Sequence, residues 1–467
     1  MTQSRSACPE SRTIGLDSNG ARPSRRAAAA FAVLAATQVT LIATITVVTV
    51  ALPDIQRDLR LDSASLVLLG SAYGVSFGGL LPLGGRLADV WGRRRAFVGG
   101  TAVFALASAA AGFTPDYGVL LGARFIQGIG AASTAPAAIA LLGTIFPDAE
   151  RRRRATAVWG VLSGAGATAG TVMSGFFITW LAWRWLFLAP VLVSATAAVA
   201  VLRLIPAPTP AATTRDATAA TPPIDWPGAA LVTAGLAALV YGVQHSGWMF
   251  LGGAVLLIAF AIVERRSPAP LLPLPLLRRR IMPLTAIALC AGTMATAYFL
   301  VSLYLQQVRD FSPAQTSAVF LLPAPAILVS GPLAGRLAAR LSPRRVLALG
   351  LAVAAAGLLL ISLLSFPYLG LAVFPLGAGL TFSAAMLAVM ETTPDGQAAL
   401  AGGALNAAME VGPSLGLAAF VALADTRSPD PAVGYSFVLR IAAAAVALIA
   451  LLALSTRENS ERDGIST

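Results

Sequence analysis

Long apolar stretches separated by short polar loops run through almost the whole sequence of 467 residues, of which 57% are hydrophobic and only 12% are charged. A soluble domain of average composition carries roughly 25% charged residues. A helix of about 20 apolar residues crosses the bilayer core, and it satisfies its own backbone hydrogen bonds. The chain is therefore predicted to be an all-α membrane protein embedded in the lipid bilayer.

Fourteen stretches have the length and composition of a spanning helix. The predicted spans are 28–52, 64–84, 96–113, 118–141, 155–179, 184–204, 228–244, 248–264, 283–305, 314–336, 344–364, 367–390, 400–423 and 434–455. A Pro/Ala/Thr-rich connection at 206–228 separates the first six from the rest, and such a composition is typical of a flexible linker.

These stretches predict two six-helix bundles with two additional central helices. The expected order is a disordered tail at 1–27, a bundle at 28–204, a linker with two extra helices at 205–281, a second bundle at 282–455 and a tail at 456–467. The first apolar run is too long for the apolar core of a signal peptide, so it is expected to be a retained helix.

The position of the arginines predicts the orientation of the chain. All 33 basic residues are arginines, and 19 of them lie in loops on one side of the predicted spans against five on the other. The positive-inside rule then places both termini in the cytoplasm of a cell that carries the protein in its cell membrane. The arginines lie between the spans and form no basic face, so nucleic-acid binding is not expected.

One charged phrase occurs twice at an offset of 250 residues. Residues 84–95 read GGRLADVWGRRR and residues 334–345 read AGRLAARLSPRR, each at the cytoplasmic end of the second helix of a six-helix set. This spacing predicts that the two bundles are pseudo-repeats. Transporters built from such parallel repeats bind substrate near the midplane, between halves that rock against each other.

The first copy of the phrase contains a candidate conformational latch formed by Gly85, Asp89, Gly92 and Arg93. Gly85 is expected to allow close approach of a neighbouring helix, and Asp89 to accept hydrogen bonds from the facing half in one state only. The second copy has Ala339 in place of the aspartate, so one half alone would hold the latch. The alternative is that the phrase and its arginines only anchor the topology.

Ionisable residues inside the predicted spans are few, and each costs at least about 2.5 kcal/mol to insert, so each is a functional candidate. Arg124 lies seven residues into the fourth span, near Gln127. Glu410 lies about ten residues into the thirteenth, near the midplane, on one helix face with Asn406, Pro413 and Ser414. The predicted substrate cavity contains Gln38, Thr44, Gln127, Tyr298, Tyr304, Asn406 and Glu410.

Several motifs resemble one transporter family. GRLADVWGRRR, TVALPDIQRDL at the end of the first span, RFIQGIGAA in the fourth and WRWLF at 183–187 are similar to those of the major facilitator superfamily, in particular its drug:proton antiporters with fourteen spans. The resemblance implies export of drugs or toxic metabolites in exchange for protons. It also implies that Arg124, within the RxxQGxG pattern, takes part in proton coupling.

The chain departs from that family pattern at two places. Thr44 stands where the family usually has an aspartate, seven residues before ALP. In the fifth span GAGATAGTVMSG keeps its glycines but has Thr171 in place of a proline and Ser174 in place of a glycine. With the first-span acid absent, Glu410 becomes the candidate proton carrier.

The predicted function is a monomeric secondary active transporter that exports amphipathic small molecules by proton antiport. A proton-independent facilitator or importer on the same fold is the first alternative, and Thr44 favours it. A membrane enzyme and a non-transporting scaffold are further alternatives. With one histidine and no metal-ligand spacing, the chain is expected to use no metal or cofactor and to be no enzyme.

Overall fold

A computed structural model describes residues 25–148, 151–152, 180–206, 225–245, 247–267, 270–271, 280–364, 367–391, 398–424 and 431–455, with isolated positions between 155 and 178. Some side chains within these ranges, including those of Asn406 and Glu410, lie outside the description. Every regular element among the described residues is helical. The prediction of an all-helical chain is confirmed.

Five helices form the described part of the first half. They are α1 (Arg25–Leu59), α2 (Ser63–Trp91), α3 (Arg93–Phe113), α4 (Tyr117–Ile145) and α5 (Trp185–Leu204). Short polar residues fix their starts, because Asp62 and Asp116 accept hydrogen bonds from the first turns of α2 and α4. Gly92, with φ +90°, is the single residue between α2 and α3.

Two helices connect the halves. They are α6 (Trp226–His245) and α7 (Gly247–Arg266), which pack against each other where a Cβ at Gly242 would lie 2.1 Å from the nitrogen of Phe250. Helix α6 also contacts α2 of the first half. There, a Cβ at Gly79 would lie 2.8 Å from the hydroxyl oxygen of Thr233.

The second half begins with α8 (Ile281–Leu303), which ends in one π-helical turn, Tyr304–Val308. It continues with α9 (Pro313–Val319), α10 (Pro323–Ala338), α11 (Pro343–Ile361), α12 (Tyr368–Glu391), α13 (Ala398–Ala424) and α14 (Pro431–Ser455). Helix α1 contacts α8, α2 contacts α13, and α13 also contacts α6.

Twelve helical stretches among the described residues are long and apolar enough to cross a membrane, with α9 and α10 counted as one stretch, 313–338. The chain is a multi-pass membrane protein. Most of the predicted fifth span, 155–179, lies outside the described residues, and α13 contributes a shorter apolar stretch, Ala407–Leu423. The count of fourteen stays a prediction.

The span predicted at 314–336 is confirmed as one apolar stretch, Pro313–Ala338, but it is not one continuous helix, because α9 ends at Val319 and α10 begins at Pro323. The residues between them form turns in which Leu321 and Leu322 donate to the carbonyls of Ala318 and Val319. Proline has no backbone N–H to continue the ladder, and it fits the first position of a new helix.

One helix crossing has the same construction in both halves. In α3 and α4, a Cβ at Gly100 would lie 2.8 Å from the carbonyl oxygen of Gly130, and Thr134 donates to that same oxygen. In α11 and α12 the equivalent contacts join Gly350, Gly377 and Thr381 at sequence offsets of 250, 247 and 247. Small residues at both crossings allow the backbones to touch.

Candidate functional site

A cavity lies between the halves and is lined by residues of α1, α2, α8 and α13. Its volume of about 60 Å³ is enough for a few water molecules, whereas pockets for drug-sized molecules measure about 300–1,000 Å³. Across it, the Ser414 hydroxyl donates to the carbonyl oxygen of Ser71 at 3.3 Å. The lining residues are Ile45, Val48, Thr49, Leu52, Gly70, Ser71, Gly74, Ala295, Phe299, Pro413, Ser414 and Leu417.

Glu410 and Asn406 both belong to α13, as predicted, but their side chains are outside the described structure. Helical register nevertheless relates position 410 to the cavity. Positions 413, 414 and 417 follow it by three, four and seven residues, the spacing of one helix face. Pro413, Ser414 and Leu417 at these positions all line the cavity.

Arg124 is fully buried in the first half, between α1, α2 and α5. Its guanidinium lies 4.9 Å from the centre of the Tyr73 ring and 6.0 Å from that of Phe187. One Nη atom donates to the Thr44 carbonyl at 3.3 Å and to the Gln127 side chain at 3.1 Å. The Nε and the other Nη atom have no hydrogen-bond partner among the described residues.

Gln127 extends this contact into a network within the first half. Its amide nitrogen donates to the Ser108 hydroxyl at 2.7 Å, and both side chains are completely buried. Thr44 joins the network through its backbone, because its own hydroxyl donates to the Thr40 carbonyl at 2.8 Å. The guanidinium therefore meets a neutral carbonyl at the position where the related family usually has an acid.

The remaining predicted cavity residues are buried or partly buried but do not line the cavity in this conformation. Gln38 is buried in α1, and Tyr304 begins the π turn. The Tyr298 ring packs on Phe320 with centroids 5.3 Å apart, and its buried hydroxyl has no hydrogen-bond partner among the described residues. Gln127 and Thr44 belong to the arginine network.

The latch segment differs in detail from its prediction. The close approach occurs at Gly84, where a Cβ would lie 1.8 Å from the carbonyl oxygen of Ala132 in α4. The prediction of close approach at Gly85 is wrong, because a Cβ there would lie 3.9 Å from Pro136. Asp89 is exposed and makes no hydrogen bond or ion pair with any described residue. Arg93 donates to the Ala140 carbonyl at 3.3 Å.

The repeated arginines have a shared structural role that the sequence did not reveal. Arg94 donates to the carbonyl of Leu202 at the end of α5, at 2.5 Å. Arg344, 250 residues later, donates to the carbonyl of Ala453 at the end of α14, at 2.7 Å. Both therefore satisfy carbonyls that the last turn of a helix leaves without a donor, and they place positive charge at the negative end of the helix dipole.

Sequence reasoning missed Tyr73 and Ser108 as partners of the arginine network. Each lies on a different helix from Arg124, and the sequence does not show which side chain of another helix a hydroxyl will contact. A signal was available for Gln127, because residues three apart on a helix share a face.

A family model described as Major Facilitator Superfamily matches residues 34–417. The chain is 36% identical over 410 residues to the puromycin resistance protein of Streptomyces alboniger, an alignment that covers 83% of this chain and 79% of that protein. It is 32% identical over 415 residues to the lincomycin resistance protein of Streptomyces lincolnensis, covering 84% and 83%. It is 33% identical over 397 residues to the cephamycin export protein of Amycolatopsis lactamdurans, covering 80% of each.

Solved structures agree on the fold. The nucleoside transporter NupG superposes with a TM-score of 0.68 at 13% identity, covering 93% of this chain and all of that one. A POT family peptide transporter superposes with a TM-score of 0.65 at 18% identity, covering 92% and 97%. The family match spans most of the sequence, and its members are transporters and not enzymes. The chain belongs to the Major Facilitator Superfamily.

Proposed function

We propose that the protein exports amphipathic drugs, antibiotics or secondary metabolites from the cytoplasm, and that proton antiport drives alternating access between its two halves. Three relatives support the substrate class, because their names record resistance to puromycin and lincomycin and export of cephamycin. The cavity between the halves supports the mechanism, since residues from helices of both halves line it.

Proton coupling is assigned to Glu410, and one observation carries this assignment. Position 410 shares its helix face with Pro413, Ser414 and Leu417, and all three line the cavity. A carboxylate on that face can bind a proton from one side of the membrane and release it when substrate arrives from the other. Intramembrane acids of this kind mark proton relays in transporters.

The arginine network of the first half, as far as its described residues show, contains no group that would carry a proton. Arg124 binds the backbone carbonyl of Thr44 and the amide of Gln127, and neither group titrates. The guanidinium itself stays charged throughout. Its role in coupling is then to hold α1 in position against α4, one turn from the Val48 that lines the cavity.

Replacing Glu410 with glutamine tests the coupling. The amide fits the same space and mimics the protonated acid, so we expect uphill export driven by a proton gradient to be lost in proteoliposomes. Downhill exchange of substrate should remain measurable. Glu264→Gln is the matched control, because Glu264 is a buried carboxylate of α7 that does not line the cavity. Concentrative export by Glu410→Gln would overturn the assignment.

A proton-independent facilitator or importer is the second candidate, and Thr44 favours it because the usual first-helix acid is absent. The same experiment separates the two. A facilitator would equilibrate substrate equally well in the wild type and in Glu410→Gln, and a proton gradient would not change the final distribution. An antiporter concentrates substrate only with the acid.

The proposed arrangement has fourteen spans in two pseudo-repeated halves, functions as a monomer and places both termini in the cytoplasm. The repeated glycine crossings and the arginines at the ends of α5 and α14 support the repeat. Cysteine labelling tests the orientation: Ala314→Cys should react with an impermeant maleimide added to whole cells, and Ser342→Cys should not. Both side chains are exposed. Ser312 is a poor probe, because its hydroxyl caps α9.

A further inference from the structure

Helix α1 contains a proline at a position where it frees a carbonyl oxygen. Pro53 has no backbone N–H, so the carbonyl of Thr49, four residues earlier, has no donor within its own helix. The donor comes from the other half of the molecule. The Ser302 hydroxyl of α8, which is completely buried, lies 3.4 Å from the Thr49 carbonyl oxygen.

Two glutamines of the π turn extend this contact along the same helix. The Gln306 amide donates to the Ser302 hydroxyl at 3.0 Å and to the Val50 carbonyl at 3.3 Å. The Gln307 amide donates to the side-chain oxygen of Gln56 at 3.1 Å. Gln56 is held in place because its own amide donates to the Leu61 carbonyl at 3.2 Å.

We propose that these contacts form an outer seal, consisting of Ser302, Gln306 and Gln307 bound to Gln56 and to the carbonyls of Thr49 and Val50. The seal closes the extracellular end of the interface between the two halves, and it must open for substrate to leave. The proposal rests on the proposed function for the orientation of the chain and for alternating access. The seal lies at the end of α1 that Leu59 terminates and at the π turn that follows α8. In the proposed orientation, these ends face the outside, opposite the loops that hold most of the arginines.

Pro53 gives the seal its reversibility. The Thr49 carbonyl cannot bond within α1, so it accepts the Ser302 hydroxyl when the halves meet and water when they part. Helix α1 stays intact in both states, because no bond of its own ladder is exchanged. An ordinary residue at position 53 would supply an N–H to this carbonyl, whose two lone pairs would then be shared between that N–H and the Ser302 hydroxyl, so the carbonyl would depend less on Ser302 for a donor.

The test measures how often the seal opens. Cys8→Ser and Cys290→Ala remove both native cysteines. Ser71→Cys then places a reporter in the cavity, at a position that is 2% exposed, for an impermeant maleimide added to whole cells. Loss of one neutral hydrogen bond changes an equilibrium by roughly 2- to 10-fold, so Ser302→Ala and Gln306→Ala should each raise the labelling rate by about that factor.

Thr296→Val is the matched control. Thr296 is another buried hydroxyl of α8, but it donates within its own helix to the Gly292 carbonyl at 2.8 Å. Its loss should leave labelling of the reporter unchanged. An equal rise in labelling for Thr296→Val and Ser302→Ala would show only that α8 had loosened, and the seal would be rejected.

A double-mutant cycle isolates the role of the proline. Pro53→Ala should raise labelling by itself, and adding Ser302→Ala should then have a smaller effect than it has in the wild type, because the carbonyl now has a donor within its own helix. Pro82→Ala, at a second proline within a helix, should leave the effect of Ser302→Ala unchanged. Independent, multiplicative effects of Pro53→Ala and Ser302→Ala would refute the mechanism.

Failure of the seal and failure of the proposed function give different results. Labelling requires neither substrate nor a proton gradient, so the absence of proton coupling does not affect it. Ala314→Cys at the start of α9 reports orientation and should react from outside in every variant. If it reacts only from inside, the chain is inverted and an extracellular seal is ruled out.

Discussion

Gly84 lies where α2 crosses α4 with no space for a side chain. A Cβ at this position would meet the backbone carbonyl of Ala132 at 1.8 Å, whereas a Cβ at the adjacent Gly85 would have 3.9 Å to its nearest neighbour. A backbone obstacle cannot rotate away as a side chain can, so the helices themselves would have to separate. A larger side chain is therefore excluded at Gly84 but has space at Gly85.

We expect Gly84→Ala to lower stability by about 1–3 kcal/mol or more, as overpacking does, and to reduce export. Gly85→Ala should be neutral or stabilising by up to about 1 kcal/mol, because alanine favours the helix. The melting temperature in detergent and export from cells provide the comparison. Equal sensitivity at both positions would contradict the packing described for α2 and α4.

Asp62 begins helix α2 as its capping residue. Its carboxylate accepts a hydrogen bond from the backbone N–H of Ser65 at 2.9 Å, and the hydrogen bonds from Ser65 lower the pKa of Asp62 below its ordinary value. A lowered pKa in the folded protein means that the carboxylate contributes stability above its unfolded pKa of about 3.9. That contribution is lost as the pH falls through the folded pKa.

We expect Asp62→Ala to cost about 1 kcal/mol near neutral pH, as loss of a helix cap does, and Asp62→Asn to cost much less because the amide oxygen still accepts. The difference between wild type and Asp62→Ala in melting temperature should shrink below about pH 4. A difference that stays constant as the pH is lowered well below that value would show that the charged form has no special part in the cap.

At the level of elements, the sequence predicted most spans to within a few residues, because bilayer thickness limits both their length and their composition. The break between α9 and α10 was missed for a physical reason. Pro53, Pro82 and Pro136 lie inside continuous helices, whereas Pro323 begins a new one, and proline alone does not distinguish these cases. Tertiary packing decides whether a carbonyl that a proline leaves without a donor can accept a hydrogen bond from elsewhere, and so whether the helix continues.

The hydrogen bonds of the proposed outer seal are formed in this structure, while Asp89 at the opposite end of α2 is exposed and binds no described residue. A latch that acts between the halves would then be open in this state and formed in the outward-facing one. The contacts of the proposed outer seal could not be predicted from the sequence, because they depend on how the two halves meet in the folded molecule.

We expect Asp89→Asn to slow transport severalfold and to leave substrate affinity nearly unchanged, because the latch shifts the equilibrium between states and does not touch the ligand. Initial export rates and equilibrium binding of the same substrate provide the two readouts. Asp148→Asn, at an exposed acid of the next loop on that side, is the control. Affinity that falls in parallel with rate would count against a latch.

Arg94 and Arg344 each bind the end of the last helix that is described in their half, α5 or α14. Each has one role during membrane insertion and another in the folded protein. In the proposed orientation, the charge of Arg94 and Arg344 would help during synthesis to retain a loop on the cytoplasmic side, before any tertiary contact exists. In the finished molecule the same guanidinium completes the hydrogen bonding of α5 or α14. The same side chain thus contributes positive charge for membrane insertion and hydrogen-bond donors for the folded helix end. Lysine would satisfy the insertion machinery equally well, and whether it satisfies the folded helix end can be asked separately from whether it preserves the topology.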